Sequence, residues 1–541
     1  MTDYSWDGYP WSAYKSDITN IVIEGGVTTI GEDAFSYCDG LTTVTIPNNV
    51  TTIGNCAFEW CSSLEEVTIG SGVTSIGDRA FEGCSSLTYI TVSGENLYYK
   101  SVHNVLFTKD GTRLIKYPEG STATSYTIPN DVKTIDMFAF AYSSNLTGVT
   151  IGSGVTTICE GAFFNCNGLT TISIPDNVTT IGEDAFCACE YLTTLNIGSG
   201  VESICNGPCG GCYNLTKITV SGGTHFKSVN NVLFSYDGKT LVQYPVGSTA
   251  TSYTIPDGVE TISANAFDSS DNLTSVTIPN TVTSIGTCAF LDCTRLTTMS
   301  IPSSVTYIGD DAFYSCENLA TVTLNSNPYI GYYAFVIDDH GAIPAVTMNL
   351  TANAAGGAYW MTFFNDNYSF EADPNTQVFQ AELDNATGAL TLREIDDKIV
   401  NANEAVILKS SGNPVMTLTT TNSSDLYEYN NLIGVNNPEG EDNDGYFYVL
   451  NYKAATGVGF YKLADGKKLG YGKAYLSYDS SSAPELDYLE FNYGNGNTTG
   501  VNEVRGQKEE SRSQYYDLQG RRVAQPAKGL YIVNGKKVVI K

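Results

Sequence analysis

Ala-Phe pairs recur at a fixed spacing through the first 340 residues, and this regularity constrains the fold more than any other feature of the sequence. Within each of three groups, successive pairs lie 23 residues apart. The pairs are Ala34-Phe35, Ala57-Phe58, Ala80-Phe81, Ala139-Phe140, Ala162-Phe163, Ala185-Phe186, Ala266-Phe267, Ala289-Phe290 and Ala312-Phe313. Repeats of roughly 20–50 residues are typical of solenoids, because one such unit cannot close a hydrophobic core and must stack on its neighbours.

The repeated unit reads Leu-x-x-Val-Thr-Ile-Pro-x-x-Val-Thr-x-Ile-Gly-x-x-Ala-Phe-x-x-Cys-x-x, and about a dozen copies extend from Ile18 to Phe335. In one copy, Val44 and Ile46 flank Thr45, which predicts a short strand that buries its aliphatic side chains and exposes the threonine. The Ala-Phe pair then packs in a short helical or irregular segment that leads back to the next strand. Stacked copies would pair their strands in parallel, so we predict a mainly β solenoid.

Two copies carry an insertion, and the two insertions match each other at a separation of 127 residues. Residues 101–107 and 228–234 share a Ser-Val-x-Asn-Val-Leu-Phe pattern, and each is followed by Asp-Gly and by Leu-x-x-Tyr-Pro. Apolar residues on both sides of Asp-Gly predict a β-hairpin with a type I′ turn, which requires positive φ at two successive residues. We therefore expect a hairpin at the same place in both insertions.

The period ends after Phe335, and short alternating apolar runs punctuated by Gly, Asn and Asp follow. This pattern predicts an all-β sandwich. The predicted domains are a remnant of an N-terminal cap (1–17), the solenoid (18–345), the sandwich (346–499), a linker (500–514) and a C-terminal β segment (515–541).

The repeat unit closely resembles the leucine-rich repeats of the BspA-like, or treponeme-type, family, and the inserted hairpin with its Leu-x-x-Tyr-Pro also recurs there. The resemblance covers residues 4–335. It implies a leucine-rich repeat solenoid on the surface of bacteria, often of the Bacteroidetes, that serves adhesion to host proteins or other cells. It does not imply a named ligand, because repeats determine the scaffold and not the site.

The two ends of the chain also resemble known segments. Tyr516-Asp517-Leu518-Gln519-Gly520-Arg521 and the terminal Lys-Lys-Val-Val-Ile-Lys resemble the end of a type IX secretion sorting domain, which implies secretion or surface attachment. Met1-Thr2-Asp3-Tyr4 resembles the end of the family's N-terminal cap. This second resemblance implies that Met1 is an internal methionine and that the signal peptide is missing from the start of this sequence.

The charge of the chain excludes several classes of partner. With 28 Lys and Arg against 58 Asp and Glu, the net charge is −30. Binding to nucleic acid or to an anionic membrane surface requires a basic footprint, so we expect neither partner. The sequence also lacks an apolar run long enough to span a bilayer.

Cysteine is the most conspicuous reactive residue type. Eight of the fourteen cysteines occupy one repeat position: Cys38, Cys61, Cys84, Cys166, Cys189, Cys212, Cys293 and Cys316. Stacked neighbours would lie within disulfide reach, yet Ser143 and Ser270 occupy the same position, so we favour buried free thiols that act as small apolar side chains. Cys205, Cys209 and Cys212 resemble a zinc or redox motif, but no second cysteine pair at zinc spacing accompanies them.

The remaining polar features point away from catalysis and cofactors. His103, His225 and His340 share no motif, and no phosphate loop or hydrolase signature is present. Residues 441–445 (Glu-Asp-Asn-Asp-Gly) offer carboxylates for Ca²⁺ but lack the other ligands of a calcium loop, which favours a plain turn. We therefore predict a protein that is not an enzyme and that has no cofactor or metal.

The outward side chains of the predicted strands are the candidate binding surface, which we name the strand face. Its central residues are Thr45, Thr68, Thr91, Thr150, Ser173, Asn196, Thr219, Thr277, Ser300 and Thr323. A second column of hydroxyl residues comprises Thr52, Ser75, Thr157, Thr180 and Ser284. Threonine is also a good strand former that keeps a sheet soluble, so a purely structural role is the alternative, and ice binding is a remote one.

The leading functional hypothesis is a secreted or cell-surface adhesin-type protein that binds protein partners, such as host matrix or bacterial surface proteins, through the repeats. The alternative is a glycan-binding surface protein that uses the C-terminal sandwich. Aromatic residues that would stack on sugar rings are Tyr427, Tyr429, Tyr446, Tyr448 and Tyr461. A surface hydrolase is a distant third hypothesis.

Overall fold

The computed structural model describes residues 9–338, 341–355, 358–365, 369–384, 389–402 and 404–421 continuously. Beyond these it describes 432–434, 441–442, 447–453, 457–462, 468–469, 474–477, 488–491, 504–507, 515–516, 522–523, 529–533 and 536–540. The chain divides into two compact units. The first comprises Met1–Leu296, Asp310–Asn318 and Tyr333–Ala342, and the second comprises Thr297–Gly309, Leu319–Tyr332 and Ile343–Lys541.

The repeats form a β solenoid of about 14 turns of roughly 23 residues, which confirms the predicted fold class. In the first unit, each turn contributes one longer strand with alternating burial. These strands are Thr43–Ile46, Glu66–Ile69, Tyr89–Val92, Ser125–Thr127, Gly148–Thr150, Thr171–Ser173, Thr194–Ile197, Lys217–Val220, Ser252–Thr254 and Ser275–Thr277. Equivalent strands pair in parallel and in register, as Val44 does with Val67 and Val67 with Ile90.

Each turn also contributes a two-residue strand, whose isoleucine faces the core. These strands are Thr29–Ile30, Thr52–Ile53, Ser75–Ile76, Thr134–Ile135, Thr157–Ile158, Thr180–Ile181, Ser203–Ile204, Thr261–Ile262 and Ser284–Ile285. Threonine hydroxyls next to the strands donate to carbonyls of the preceding turn. For example, Thr51 donates to Thr28 at 3.1 Å and Thr193 donates to Thr170 at 2.9 Å. Many threonines of the repeat therefore stabilise the stacking of turns directly.

The phenylalanines of the Ala-Phe pairs form three aromatic stacks inside the solenoid, one for each group of pairs. Phe267 and Phe290 have ring centroids 4.8 Å apart, and Phe290 and Phe313 lie 5.0 Å apart. Nearly parallel rings at this spacing exclude water and add a specific ring–ring attraction of about 0.5–1.5 kcal/mol per pair to the burial of apolar area.

Each insertion is a three-stranded antiparallel meander that begins a new stretch of solenoid. The strands are Tyr99–Val102, Val105–Thr108 and Arg113–Lys116 in the first insertion, and Phe226–Val229, Val232–Ser235 and Thr240–Gln243 in the second. Leu114 pairs in parallel with Ile135, and the Tyr117 ring stacks on Phe140 at 5.2 Å. The last strand and the Tyr-Pro motif therefore act as an abbreviated repeat in which tyrosine takes the place of phenylalanine.

The hairpin prediction is confirmed, but the predicted type I′ turn at Asp-Gly is wrong. Only Gly111 has a positive φ there (81°), and Asp110 accepts a hydrogen bond from the backbone N–H of Thr112 at 2.9 Å instead. Two successive positive φ values occur at His103 and Asn104 (50° and 67°), between the first two strands. Asn and His tolerate the left-handed region better than most residues, which explains why the tight turn of the hairpin lies at His103 and Asn104.

The return after each two-residue strand is irregular, and two of its residues have left-handed backbones. The first position is Asp33, Cys56, Arg79, Phe138, Gly161, Asp184, Gly207, Asn265, Cys288, Asp311 or Tyr333. The second is Tyr37, Trp60, Gly83, Tyr142, Asn165, Ala188, Gly211, Ser269, Asp292 or Ser315. The only helix in the described part of the chain is a 3₁₀ helix, Ser12–Asp17. We name the surface formed by these returns the turn face.

Among the sheets of the second unit are a six-stranded mixed sheet and a five-stranded antiparallel sheet. One has the order Thr298–Ile301, Thr321–Leu324, Ala345–Thr351, Val415–Thr421, Ser369–Ala372 and Ile399–Val400. The other has the order Asn353–Ala355, Ala358–Asn365, Glu404–Ser410, Thr376–Asp384 and Ala389–Glu394. Two short strands, Tyr307–Ile308 and Tyr329–Ile330, pair in parallel. Ala345–Thr351 pairs in parallel with the last repeat strand and antiparallel with Val415–Thr421, so one sheet joins the repeat strands to the strand-rich C-terminal region.

Twelve further strands follow in the second unit. They are Leu432–Gly434, Glu441–Asp442, Phe447–Lys453, Gly457–Lys462, Lys468–Leu469, Ala474–Ser477, Tyr488–Phe491, Val504–Gln507, Tyr515–Tyr516, Arg522–Val523, Gly529–Val533 and Lys536–Ile540. Val504–Gln507 falls in the segment predicted as a linker, where it pairs with Tyr488–Phe491. The last four strands form one sheet, and their role as a secretion signal stays a prediction.

Candidate functional site

All ten predicted residues of the strand face lie at outward positions, and none is buried. Eight belong to the first unit, while Ser300 and Thr323 belong to the second. The alternation responsible is visible in Thr43–Ile46, where exposed and buried residues alternate strictly. The prediction of outward orientation is confirmed, whereas the use of this face for binding stays a prediction.

Strand register arranges these side chains in rows. Thr45 pairs with Thr68, and Thr68 pairs with Thr91. In a second row, the Asn196 amide donates to the hydroxyl of Ser173 at 3.1 Å, and the Thr219 hydroxyl donates to Asn196 at 2.7 Å. Side chains held by such a ladder are preorganised, which reduces the conformational entropy lost when a partner binds.

The residues of the second column mostly lie half-buried, and only Ser75 is exposed. Thr52 pairs with Ser75, and Thr157 pairs with Thr180, so this column also follows the strand register. Its lower exposure makes it a weaker docking surface than the strand face.

Two of the five tyrosines of the glycan hypothesis lie among the described residues. Tyr427, Tyr429 and Tyr446 lie outside the described residues. Tyr448 and Tyr461 lie in the paired strands Phe447–Lys453 and Gly457–Lys462. The glycan hypothesis stays a prediction. Of the plain turn expected at residues 441–445, Glu441–Asp442 instead forms a short strand paired with Lys468–Leu469, and residues 443–445 lie outside the described residues.

The cysteine ladder consists of buried free thiols, as predicted. Seven of the eight thiols, all except Cys38, donate to the phenylalanine carbonyl of the preceding turn, as Cys61 does to Phe35 and Cys84 does to Phe58, both at 3.1 Å. The thiols therefore satisfy backbone acceptors inside the core. Cys209 is buried as well, and Cys205 is exposed.

A carboxylate–thiol cluster that sequence reasoning missed lies on the turn face. Ligand atoms of Asp33, Cys56 and Glu59 lie within 4.8 Å of one another. Burial, and then the charges of Glu59 and Asp33, raise the pKa of the Cys56 thiol to about 12. In the absence of a metal ion, the Cys56 thiol is therefore protonated at neutral pH.

A buried charged cluster occupies the junction between the third turn and the first insertion. The Lys116 ammonium lies 2.6 Å from the Glu119 carboxylate, and the side chain of Glu119 is fully buried. Glu119 also accepts a hydrogen bond from the backbone N–H of Gly83 at 3.0 Å. A cleft of about 80 Å³, lined in part by Arg79, Glu82 and Lys116, has room for a few water molecules.

This cluster is specific to the first insertion. The residues that correspond to Lys116 and Glu119 in the second insertion are Gln243 and Val246. Sequence analysis missed this cluster, and the difference at these two positions between the insertions is the signal that could have found it.

Comparison with known proteins identifies the repeats. The model of the BspA type leucine rich repeat region matches residues 12–123, 116–240 and 246–339, with six copies. No curated protein matches the chain significantly.

Solved bacterial structures are similar over the same region. A leucine-rich repeat protein from Eubacterium ventriosum is 30% identical, with 58% of this chain and 87% of that chain covered and a TM-score of 0.37. A leucine rich cell surface protein from Faecalibacterium prausnitzii is 26% identical, with 57% and 80% covered and a TM-score of 0.34.

Within the described residues, no helix has the length and apolar character needed to cross a membrane. The match to the family model covers more than half of the chain, and the stacked 23-residue turns with their Ala-Phe pairs agree with it. The chain belongs to the BspA-type leucine-rich repeat family.

Proposed function

We propose that this protein is a non-enzymatic, cell-surface or secreted adhesin-type protein that binds protein partners through its strand face. The observation that carries this proposal is the register-aligned array of exposed hydroxyl and amide side chains on a rigid parallel ladder. Membership in the family and the similarity to a leucine rich cell surface protein support a location on the cell surface.

The chemistry of the strand face suits a protein partner. Threonine, serine and asparagine both donate and accept hydrogen bonds, and a protein interface typically carries about one hydrogen bond per 100–200 Å². The central row is uncharged, so complementarity there depends on hydrogen bonding and shape rather than on ion pairs. The ladder beneath it holds the side chains in place before a partner arrives.

The positions of the histidines support a role without catalysis. His103 occupies a left-handed position at the tip of the first hairpin, and asparagine takes the same position in the second. His225 is exposed at the base of the other insertion. Neither position provides the buried, oriented base that general acid–base catalysis requires.

The test measures binding of the full chain to a panel of purified host extracellular-matrix and serum proteins. We expect saturable binding to at least one of them. The triple variant Thr68→Lys, Thr91→Lys and Thr150→Lys should reduce the affinity by at least tenfold, because three long cations would separate the two surfaces. The matched control places lysine at exposed threonines outside the strands, at Thr122, Thr224 and Thr249.

If the control variant lost binding equally, the added positive charge alone would explain the effect, and the proposal would be contradicted. Retained binding in the strand-face variant, with an unchanged melting temperature, would place the binding site elsewhere on the protein.

A further inference from the structure

A row of aromatic side chains crosses the turn face in the N-terminal half of the solenoid. Tyr37 and Trp60 stack with centroids 6.5 Å apart and ring planes 13° apart. Trp60 meets Tyr142 edge-on at 5.1 Å, and Tyr142 meets Phe164 at 5.6 Å. Tyr37 is 46% exposed, while Trp60 and Tyr142 are half-buried, so part of the row faces solvent. We name these four residues the aromatic row.

Gly83 allows the row to continue across the first insertion. Trp60 and Gly83 occupy the same left-handed position in the two turns before the first insertion, and Tyr142 occupies it in the first full turn after the insertion. A Cβ atom on Gly83 would lie 2.6 Å from Cδ2 of Trp60, so the indole ring occupies the space that a side chain would need. Trp60 and Tyr142 therefore touch although a whole inserted meander separates them in sequence.

Carboxylates surround the aromatic row. Burial, followed by the charges of Glu82, Glu119 and Glu59, raises the pKa of Tyr142 to about 12. The pKa of Tyr37 is raised by burial and then by the charges of Glu59 and Asp33. The row therefore combines electron-rich ring faces with a negative potential, and both attract cations.

The Arg79 side chain shows that this surface can hold a guanidinium group. Its guanidinium carbon lies 4.2 Å from the ring centroid of Phe138. Its nitrogens lie 3.3 Å from a carboxylate oxygen of Glu160 and 3.5 Å from Oε2 of Glu82. Arg79 therefore combines a ring face and carboxylates as its partners, which is the arrangement that a guanidinium from a partner would meet on this surface.

The row is confined to one part of the solenoid. At the same left-handed position, the turns that follow the second insertion carry Ser269, Asp292 and Ser315. Aromatic side chains are therefore not required for the backbone conformation of the turn. The backbone conformation does not explain why aromatic residues occur in the first half of the solenoid.

We infer that the aromatic row binds arginine side chains of a basic polypeptide partner. A guanidinium would stack on the exposed Tyr37 ring, which Trp60 supports from the other side, and pair with the carboxylates of Asp33 and Glu59. Arginine fits better than lysine, because its planar group stacks on rings and bonds carboxylates with several donors at once. The net charge of −30 would accelerate the approach of such a partner. This surface is separate from the strand face, and the inference does not depend on the proposed function.

The test uses the full chain with two probes of equal charge, octa-arginine and octa-lysine, and measures their dissociation constants by calorimetry at low and moderate salt. We expect octa-arginine to bind several-fold more tightly than octa-lysine. The double variant Tyr37→Ala and Trp60→Ala should weaken octa-arginine about three- to tenfold, in line with exposed cation–π contacts. The matched control is Tyr191→Ala, which removes a tyrosine that is 58% exposed and not part of the row.

Equal affinity for the two peptides, or an unchanged affinity in the double variant, would overturn the inference and leave only general attraction to an acidic protein. If the double variant is not folded by circular dichroism, the milder Tyr37→Leu decides instead, since it removes one ring while keeping apolar volume. The lysine variant of the strand face should bind octa-arginine at most a few-fold more weakly, which distinguishes failure of this inference from failure of the proposed function.

Discussion

The carboxylate of Glu119 accepts a hydrogen bond from the backbone N–H of Gly83, with a nitrogen–oxygen distance of 3.0 Å. In neighbouring turns this N–H donates to a backbone carbonyl of the next turn, as Trp60 does to Glu82 at 2.7 Å and Tyr142 does to Phe164 at 2.9 Å. At the first insertion a side chain supplies the acceptor instead. Lys116 balances its charge from a distance of 2.6 Å, so the hydrogen bond that joins the insertion to the preceding turn ends on a buried, charge-paired carboxylate.

The first prediction concerns this pair. Glu119→Val should lower the free energy of unfolding by about 3–5 kcal/mol, because it leaves the buried Lys116 ammonium without its counter-ion and the Gly83 N–H without an acceptor. Urea denaturation measures the loss, and hydrogen exchange of the Gly83 amide should show reduced protection.

The second insertion provides the matched control, because it carries Gln243 and Val246 at the same positions. The double variant Lys116→Gln and Glu119→Val copies that pair and should regain most of the stability lost in the single variant. A double variant as unstable as the single one would show that the Gly83 hydrogen bond, and not the unpaired ammonium, dominates the loss.

The second prediction concerns Gly83, whose φ of 73° and whose contact with the Trp60 ring both require glycine. Gly83→Ala should destabilise the protein by about 2 kcal/mol or more, since the left-handed backbone alone costs about 1–2 kcal/mol for a residue with a Cβ atom. Thermal unfolding measures the effect. Gly94→Ala is the control, because a Cβ at Gly94 would meet no atom within 4 Å, and its expected effect is near zero. Similar losses in both variants would contradict this explanation.

Local alternation in the sequence was sufficient to predict the strands, since Val44 and Ile46 are buried and Thr45 is exposed, as expected. It was not sufficient for the turn face. Trp60, Tyr37 and Phe138 have no preference for left-handed backbones, yet a hydrogen bond from each N–H to the next turn imposes that conformation. The role of Tyr117 was hidden for a related reason. It takes the phenylalanine position through its N–H bond to Ala139, but the insertion changes the 23-residue spacing that marks that position elsewhere.

The third prediction concerns thiol reactivity. Of the fourteen cysteines, all of which lie in the described region, Cys205 is the exposed one. A disulfide reagent should therefore modify one thiol rapidly in the folded protein and the remainder only on unfolding. Half-buried thiols stay slow because burial raises their pKa, to about 11 for Cys159. Cys205→Ser should remove the fast phase, and persistence of that phase would show that a second thiol reacts rapidly in the folded protein and contradict the prediction.

The fourth prediction concerns Asp268, which lies buried beside the second insertion with its Oδ1 accepting the Ser269 hydroxyl at 2.9 Å. Burial, with smaller contributions from the charges of Asp292, Asp184 and Asp271, raises its pKa from 3.8 to about 7 against the opposing effect of the Ser269 hydrogen bond. The folded state therefore binds more protons than the unfolded state between about pH 4 and pH 7. The contribution of Asp268 to the free energy of unfolding is therefore largest at low pH and declines as the pH rises from about 4 to about 7.

Asp268→Asn should consequently remove this decline and stabilise the protein at pH 7.5 by about 2–4 kcal/mol, because the amide fills the same volume without a charge to bury. The measurement compares urea midpoints of the two proteins from pH 4.5 to pH 7.5. Their difference should be small at the acidic end and grow with pH, whereas Glu95→Gln, at an exposed carboxylate, should stay parallel to the parent. A constant difference across the range would mean that Asp268 titrates normally in the folded state and that its burial does not determine the pH response.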